Sequence, residues 1–207
     1  AVLVGSKRIA CDHAVIALSP PAAMQLMRAN DGFSTATRDG ADLRYEPIAT
    51  VYLQYAPRVR LKQEMLGLVD GMGQWVFDRR MCGQPGLMAV VISGPGPHMQ
   101  LDRSALAERI AGELAKHFPD WPEPKASLVI REKRATFSCV PGVEESRPDQ
   151  RTNIEGCFLA GDYTATPYPA TLEGAVLSGV QCAGQVAAER DKSSTRPGRS
   201  TQQRQIA

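Results

Sequence analysis

The segment from Phe158 to Gly179 constrains this chain more than any other. Cys157 to Ala160 is a short apolar run that ends at Gly161, as a buried strand does on entering a sharp turn. Asp162 then falls at the carboxyl end of that strand, where open α/β sheets bind ligands. Thr171 is placed to cap the helix that follows, and Glu173 sits in its first turn, where a negative charge suits the helix dipole. From Glu173 to Ala188 the helix is crowded with Gly, Ala and Ser, a face that lets another backbone or a flat ligand come close. A carboxylate at a strand end accepts hydrogen bonds from polyol hydroxyls, and a helix N-terminus offers free N–H groups with partial positive charge. The competing reading is a plain turn whose Asp caps the next helix.

The rest of the chain reads as two kinds of region. Residues 1–30 give two strands and a helix: an apolar start at Ala1–Val4, a polar turn over Gly5–Arg8, a run at Ala14–Leu18 expected to be buried on both faces, and a proline-led helix over Ala22–Arg28. Asn30–Asp42 is a polar crossing. Strands follow at Ile48–Tyr55 and Leu87–Ser93, with a hairpin over Leu66–Arg80 around Asp70-Gly71-Met72-Gly73. Leu106, Ile110, Leu114 and Phe118 recur at a spacing of four and define one helix over Leu101–Phe118, capped by Ser104 or Asp102 and stopped by Pro119. Leu128–Cys139 alternates as a strand, Pro141–Thr152 is a polar loop, and residues 191–207 read as a disordered tail. Residues 31–150 therefore form a mixed, mainly antiparallel sheet with one long helix, and residues 1–30 and 151–190 look like pieces of one other domain.

Composition narrows the function. Of 207 residues 43% are hydrophobic and 22% charged, as in soluble globular proteins, and a net charge of +2 gives no reason to expect a nucleic-acid partner. Five cysteines without a CxxC pair suit reduced thiols in the cytoplasm, and three scattered histidines give no metal-ligand spacing. No apolar run reaches the length of a membrane span. Arg58, Arg60, Lys62, Arg79 and Arg80 read either as solvated charges or as a basic patch for anionic headgroups at a membrane surface.

The segment Leu159–Ala188 resembles the C-terminal flavin-binding motif of the FAD-dependent amine oxidase and phytoene desaturase superfamily. Cys11–Pro21, Tyr45–Tyr55, Gln74–Arg79 and Glu132–Phe137 extend the likeness to the squalene-associated enzymes, the hydroxysqualene dehydroxylases. The resemblance covers roughly residues 1–190. It implies an α/β with α+β fold: a split, C-terminal part of a Rossmann-like FAD-binding domain plus an inserted mixed β-sheet substrate domain. It implies FAD as cofactor, with a ribityl hydroxyl on Asp162, the flavin C2 carbonyl facing the Leu172 N–H beside Thr171, and Gly161 and Gly174 permitting close approach. Glu173 is read as a helix-dipole charge, and no side chain stands out as a general acid or base. Tyr168, Trp75 and Phe77 either line a substrate cavity or pack as core.

Two departures bear on substrate. Monoamine oxidases carry an aromatic residue where this chain has Thr171, and a lysine near the flavin where the nearest match is Thr50. Both favour an isoprenoid over an amine. The implied reaction is the reductive removal of hydroxyl from hydroxysqualene, with carotenoid-type desaturation as the alternative and a non-catalytic lipid- or partner-binding role as a third reading. No strand–GxGxxG–helix occurs in the sequence, so the chain is expected to be the C-terminal portion of a longer enzyme and to bind FAD weakly or not at all by itself.

Overall fold

The computed structural model describes residues 1–34 and 43–194. The described residues divide into two compact units, one from 1–43 with 138–207 and one from 44–137. These limits lie inside the expected ones at 30/31 and 150/151. Most of the expected crossing, residues 35–42, lies outside the described residues.

In the second unit five strands, β4 (Tyr45–Gln54), β5 (Met65–Gly67), β6 (Trp75–Asp78), β7 (Leu87–Ser93) and β8 (Ala126–Phe137), form one sheet in the order β5-β6-β7-β4-β8. Every pairing is antiparallel. The hairpin expected around Asp70–Gly73 forms, joining β5 to β6. Gly86, at φ 77°, leads into β7, and a Cβ there would lie 2.6 Å from the Ala56 carbonyl oxygen, so only glycine fits.

Helix α2 (Arg103–His117) covers one face of this sheet. Asp102 is its cap, accepting from the Ala105 N–H at 2.8 Å, whereas Ser104 bonds Glu108 instead. Leu106, Ile110 and Leu114 are fully buried against Ala49, Val51, Leu53, Val76, Val90 and Val129. Each such side chain contributes roughly 1.5–3 kcal/mol by leaving water. Strand alternation then sends Thr50, Tyr52, Trp75, Phe77, Leu128 and Ile130 to the opposite face.

The first unit has smaller pieces. Strands β1 (Val2–Val4) and β2 (Lys7–Ile9) form an exposed hairpin. Lys7 and Arg8, expected in the turn, belong to β2: on a strand exposed throughout, charged side chains meet no penalty. Strand β3 (Ala14–Ile16) pairs in parallel with β9 (Cys157–Leu159). It is shorter than expected and buried on one face only, with Ile16 inside and Val15 exposed. Helix α1 (Pro20–Arg28) starts on its prolines and buries Ala23, Met24 and Met27. Helix α3 (Leu172–Ser194) runs four residues into the segment expected to be disordered, and the rest of that segment, 195–207, lies outside the described residues. Ion pairs from Glu189 to Arg151 and to His13 hold α3 to the chain beside β3 and β9. All five cysteines are free. No helix among the described residues is long and apolar enough to cross a membrane.

Glu113, buried on α2, holds the β5–β6 connection. Its carboxylate accepts from the backbone N–H groups of Met72 (3.0 Å) and Gly73 (2.9 Å) and from Arg109 Nε (3.0 Å). Burial alone would raise its pKa, but these donors outweigh burial and hold it below the usual carboxylate range. A depressed pKa gives stability that is present above the unfolded value and lost as pH falls through the folded one. Glu113→Gln is expected to destabilise the chain by about 1–3 kcal/mol at neutral pH. Denaturant melts across the acid range should then show variant and native chain converging as pH falls.

Candidate functional site

Strand β9 carries the site, and β3 and α3 fix its position. The parallel register sets Ala14 opposite Cys157, Val15 opposite Phe158 and Ile16 opposite Leu159. Gly174, Ser178 and Cys182, spaced by four, form the buried row of α3. Phe158 and Ala160 pack with Cys182, whose thiol donates to the Leu159 carbonyl at 2.9 Å. Burial pushes that thiol's pKa up, so it stays a neutral donor.

The strand ends where its backbone passes to side chains. The Gly161 N–H donates to Ser178 Oγ at 3.0 Å. Ser178 Oγ also lies 2.8 Å from Thr164 Oγ1, and that hydroxyl donates back to the Gly161 carbonyl at 2.9 Å. Gln150 Nε2 reaches Ser178 Oγ at 3.4 Å. A Cβ on Gly161 would meet the ring of the buried Tyr163 at 2.5 and 2.7 Å, so the glycine is required by its own turn.

Beyond this network two sets of polar groups have no protein partner. Asp162 is half-buried, and among the described residues its carboxylate makes no hydrogen bond or ion pair. The plain-turn alternative, with Asp162 as the cap, does not hold. Thr171 caps α3, its Oγ1 accepting from the Gly174 N–H at 3.0 Å. The N–H groups of Leu172 and Glu173, the first two of the helix, make no hydrogen bond among the described residues. Leu172 and Glu173 are exposed, as is Tyr168, while Gly174 is buried with the Pro169 carbonyl 3.0 Å from where its Cβ would stand.

Gly161, Asp162, Tyr168, Thr171, Leu172, Glu173 and Gly174 thus share one turn-and-helix start. Thr50, Trp75 and Phe77 lie in the second unit. There the register makes one row of Trp75, Val91, Thr50 and Ile130, and a second of Phe77, Ala89, Tyr52 and Leu128. Both rows face away from α2, so Trp75 and Phe77 are not core; Trp75 is 45% exposed. A groove of about 360 Å³ lies on this face, with Tyr52, Leu128 and Ile130 along it and Arg79 and Gln84 at its rim.

Sequence reasoning missed Ser178, Thr164 and Arg147. Ser178 carried a signal, its spacing of four from Gly174. Arg147, in a segment read only as a polar loop, has a fully buried side chain.

The chain belongs to the flavin containing amine oxidoreductase family, whose description it matches over residues 1–187. Membership of that family implies FAD as the cofactor. It is 31% identical over 183 residues to the hydroxysqualene dehydroxylase of Rhodopseudomonas palustris, covering 86% of this chain and 39% of that protein. It is 46% identical over 87 residues to a 15-cis-phytoene desaturase of Narcissus pseudonarcissus, covering 39% of this chain and 15% of that protein. An oxidoreductase from Methanosarcina mazei shares the fold, with a TM-score of 0.59 at 13% identity over 87% of this chain and 44% of its own. The chain thus spans about two fifths of the length of the dehydroxylase it matches.

Ser178→Ala leaves the Gly161 N–H and the Thr164 hydroxyl without their buried partner. The expected cost is about 1–3 kcal/mol, read as a lower melting temperature with unchanged circular dichroism. Ser178→Thr keeps the hydroxyl and is expected to recover part of the loss.

Proposed function

We propose that this chain belongs to an FAD-dependent oxidoreductase acting on a squalene-type isoprenoid, and that its first unit holds the ribityl and pyrimidine end of FAD. The observation that carries this reading is the unpartnered Asp162 carboxylate at the end of a parallel strand, in the turn that leads to the free N–H groups of α3. That donor set fits the group: a carboxylate accepts from polyol hydroxyls, and helix N–H groups donate to a carbonyl that gains negative charge on reduction. Asp162 accepts from a ribityl hydroxyl. The Leu172 N–H donates to the C2 carbonyl with Thr171 beside it, and Glu173 stays on the solvent side of the first turn. Gly161 and Gly174 keep the turn close to the helix. The sequence has no GxGxxG loop for the pyrophosphate, so these residues account for one end of the cofactor only.

FAD, when bound, supplies hydride chemistry, which leaves the protein to bind, orient and exclude water. The outer face of the second unit suits an apolar chain. Trp75, Phe77, Leu128 and Ile130 stand on it together with Thr50, and no formal charge lies in their two rows. Thr50 and Thr171, at the positions where the resemblance puts the lysine and the aromatic residue of amine oxidation, support an isoprenoid. The likeness to a hydroxysqualene dehydroxylase across 86% of this chain favours replacement of a hydroxyl by hydrogen. Carotenoid-type desaturation is the second reading, favoured by the 46% identity to a phytoene desaturase over a shorter stretch.

So water-insoluble a substrate is met at a membrane surface. Arg58, Arg60 and Lys62 are exposed while Val59 and Leu61 between them are buried, which makes a strip of cations for anionic headgroups. Pelleting with anionic vesicles that is insensitive to salt, or unchanged when all three become Ala, would count against that contact.

The function is tested by supplying the whole enzyme with FAD and offering hydroxysqualene, phytoene and an aromatic amine in parallel, under reducing and oxidising conditions. Squalene formed from hydroxysqualene under reducing conditions is the expected outcome. Amine oxidation without isoprenoid turnover would overturn the proposal.

A further inference from the structure

We infer that Arg147 is the positioning residue that shapes the turn carrying Asp162, acting through that turn's carbonyl groups and not through its ion pair. The inference rests on the flavin-site reading for the use of the turn, while the clamp itself is visible in this chain. The Arg147 side chain is 0% exposed. A buried guanidinium is costly unless its donors are satisfied. Here the two terminal nitrogens donate to alternate carbonyls of one short segment: Nη2 to those of Asp162 at 3.1 Å and Thr164 at 2.6 Å, and Nη1 to that of Thr166 at 3.0 Å. Nη2 also reaches Thr166 Oγ1 at 3.0 Å. The carboxylate paired with it, Glu144, is bonded at 2.8 Å but is 67% exposed, so solvent screens that attraction.

Beside Arg147, the Thr164 hydroxyl ties the turn to the Gly161 carbonyl and to Ser178. Between Asp162 and Thr166 the backbone bonds through the Thr164 N–H to the Gly161 carbonyl at 3.2 Å and through the Ala165 N–H to the Pro148 carbonyl at 2.9 Å. Pro148 follows Arg147, so one dipeptide holds the segment from both sides. A planar, always-charged fork reaches three carbonyls at once, which a lysine ammonium on a flexible stem matches poorly. The consequence for the site is specific. With the Asp162 carbonyl fixed to Arg147, its peptide plane is set while its carboxylate is left free.

The test is amide hydrogen exchange of the chain, which needs no flavin, followed by flavin affinity in the whole enzyme. Thr166→Val removes one of the guanidinium's bonds together with the longer one from Thr166 Oγ1 to the Tyr168 carbonyl, Arg147→Lys weakens several of the guanidinium's bonds and Arg147→Met removes them all. Exchange at Thr164 and Ala165 is expected to quicken in that order, by about tenfold or more for Arg147→Met, with β3 and the middle of α3 as protected as in the native chain. Glu144→Gln is expected to leave these two amides unchanged. Flavin affinity should fall in the same order, and the lysine variant should retain more of it than the methionine variant. Should Arg147→Met fail to fold, Thr166→Val and Glu144→Gln still decide. Unchanged exchange in Thr166→Val, or loosening of the turn by Glu144→Gln, would overturn the clamp. The clamp and the flavin reading fail separately: fast exchange with unaltered flavin affinity would remove the role in the site and leave the clamp in the fold.

Discussion

A buried parallel strand that stops at a glycine must pass its last backbone groups to something other than a neighbouring strand. In this chain they pass to Ser178, whose hydroxyl takes the Gly161 N–H and meets Thr164. Ser178 is available because Gly174, Ser178 and Cys182 leave one row of α3 nearly free of bulk, which lets the helix lie close to β9. The same closeness puts the start of α3, with its unpaired N–H groups, at the far end of the turn that Asp162 begins. Arg147 completes the arrangement by donating to the turn's carbonyls. The Asp162 carboxylate and the N–H groups of Leu172 and Glu173 make no hydrogen bond among the described residues.

Much of this was legible in the residues, for identifiable reasons. Leu87–Ser93 reads as a strand because an apolar run is bounded by glycine on both sides, and the structure has β7 over the same residues. Helix α2 is legible from Leu106, Ile110 and Leu114, but its cap was open between Asp102 and Ser104 until the Ala105 N–H was seen to choose the carboxylate. The Thr171 cap and the strand before Gly161 follow from local chemistry alone. What failed was whatever depends on partners distant in sequence. Lys7 and Arg8 look like turn residues because charge is the only local signal there. Ala14–Leu18 looks buried on both faces because nothing in the run reveals that, among the described residues, its sheet has two strands. Trp75 and Phe77 could not be assigned to core or cavity without the register that sets Trp75 in line with Val91 and Thr50. Arg147 was invisible because no local pattern marks a buried arginine in a polar segment.

The two units answer different needs, and each shows it in its own surface. The second buries one face of its sheet under α2 and presents aromatic and aliphatic side chains on the other. The first buries one row of α3 and exposes another, in which Leu172, Val176 and Val180 recur at a spacing of four; Leu172 is 89% exposed. A helix apolar on both sides suits cover on both sides. On the function proposed above, the free carboxylate of Asp162 and the helix N–H groups would hold a flavin, and the uncharged rows around Thr50 and Trp75 would hold an apolar substrate.

The most direct measurement is the binding of riboflavin and of FAD to this chain, read by saturation-transfer NMR, before and after Asp162→Ala. If the turn holds the ribityl and pyrimidine end alone, the native chain binds both with similar, weak affinity. The substitution then weakens both by about tenfold or more, the loss expected for a hydrogen bond to a charged group. Equal binding by the variant would contradict the assignment of Asp162. FAD bound far more tightly than riboflavin would contradict the claim that these residues hold only one end of the cofactor.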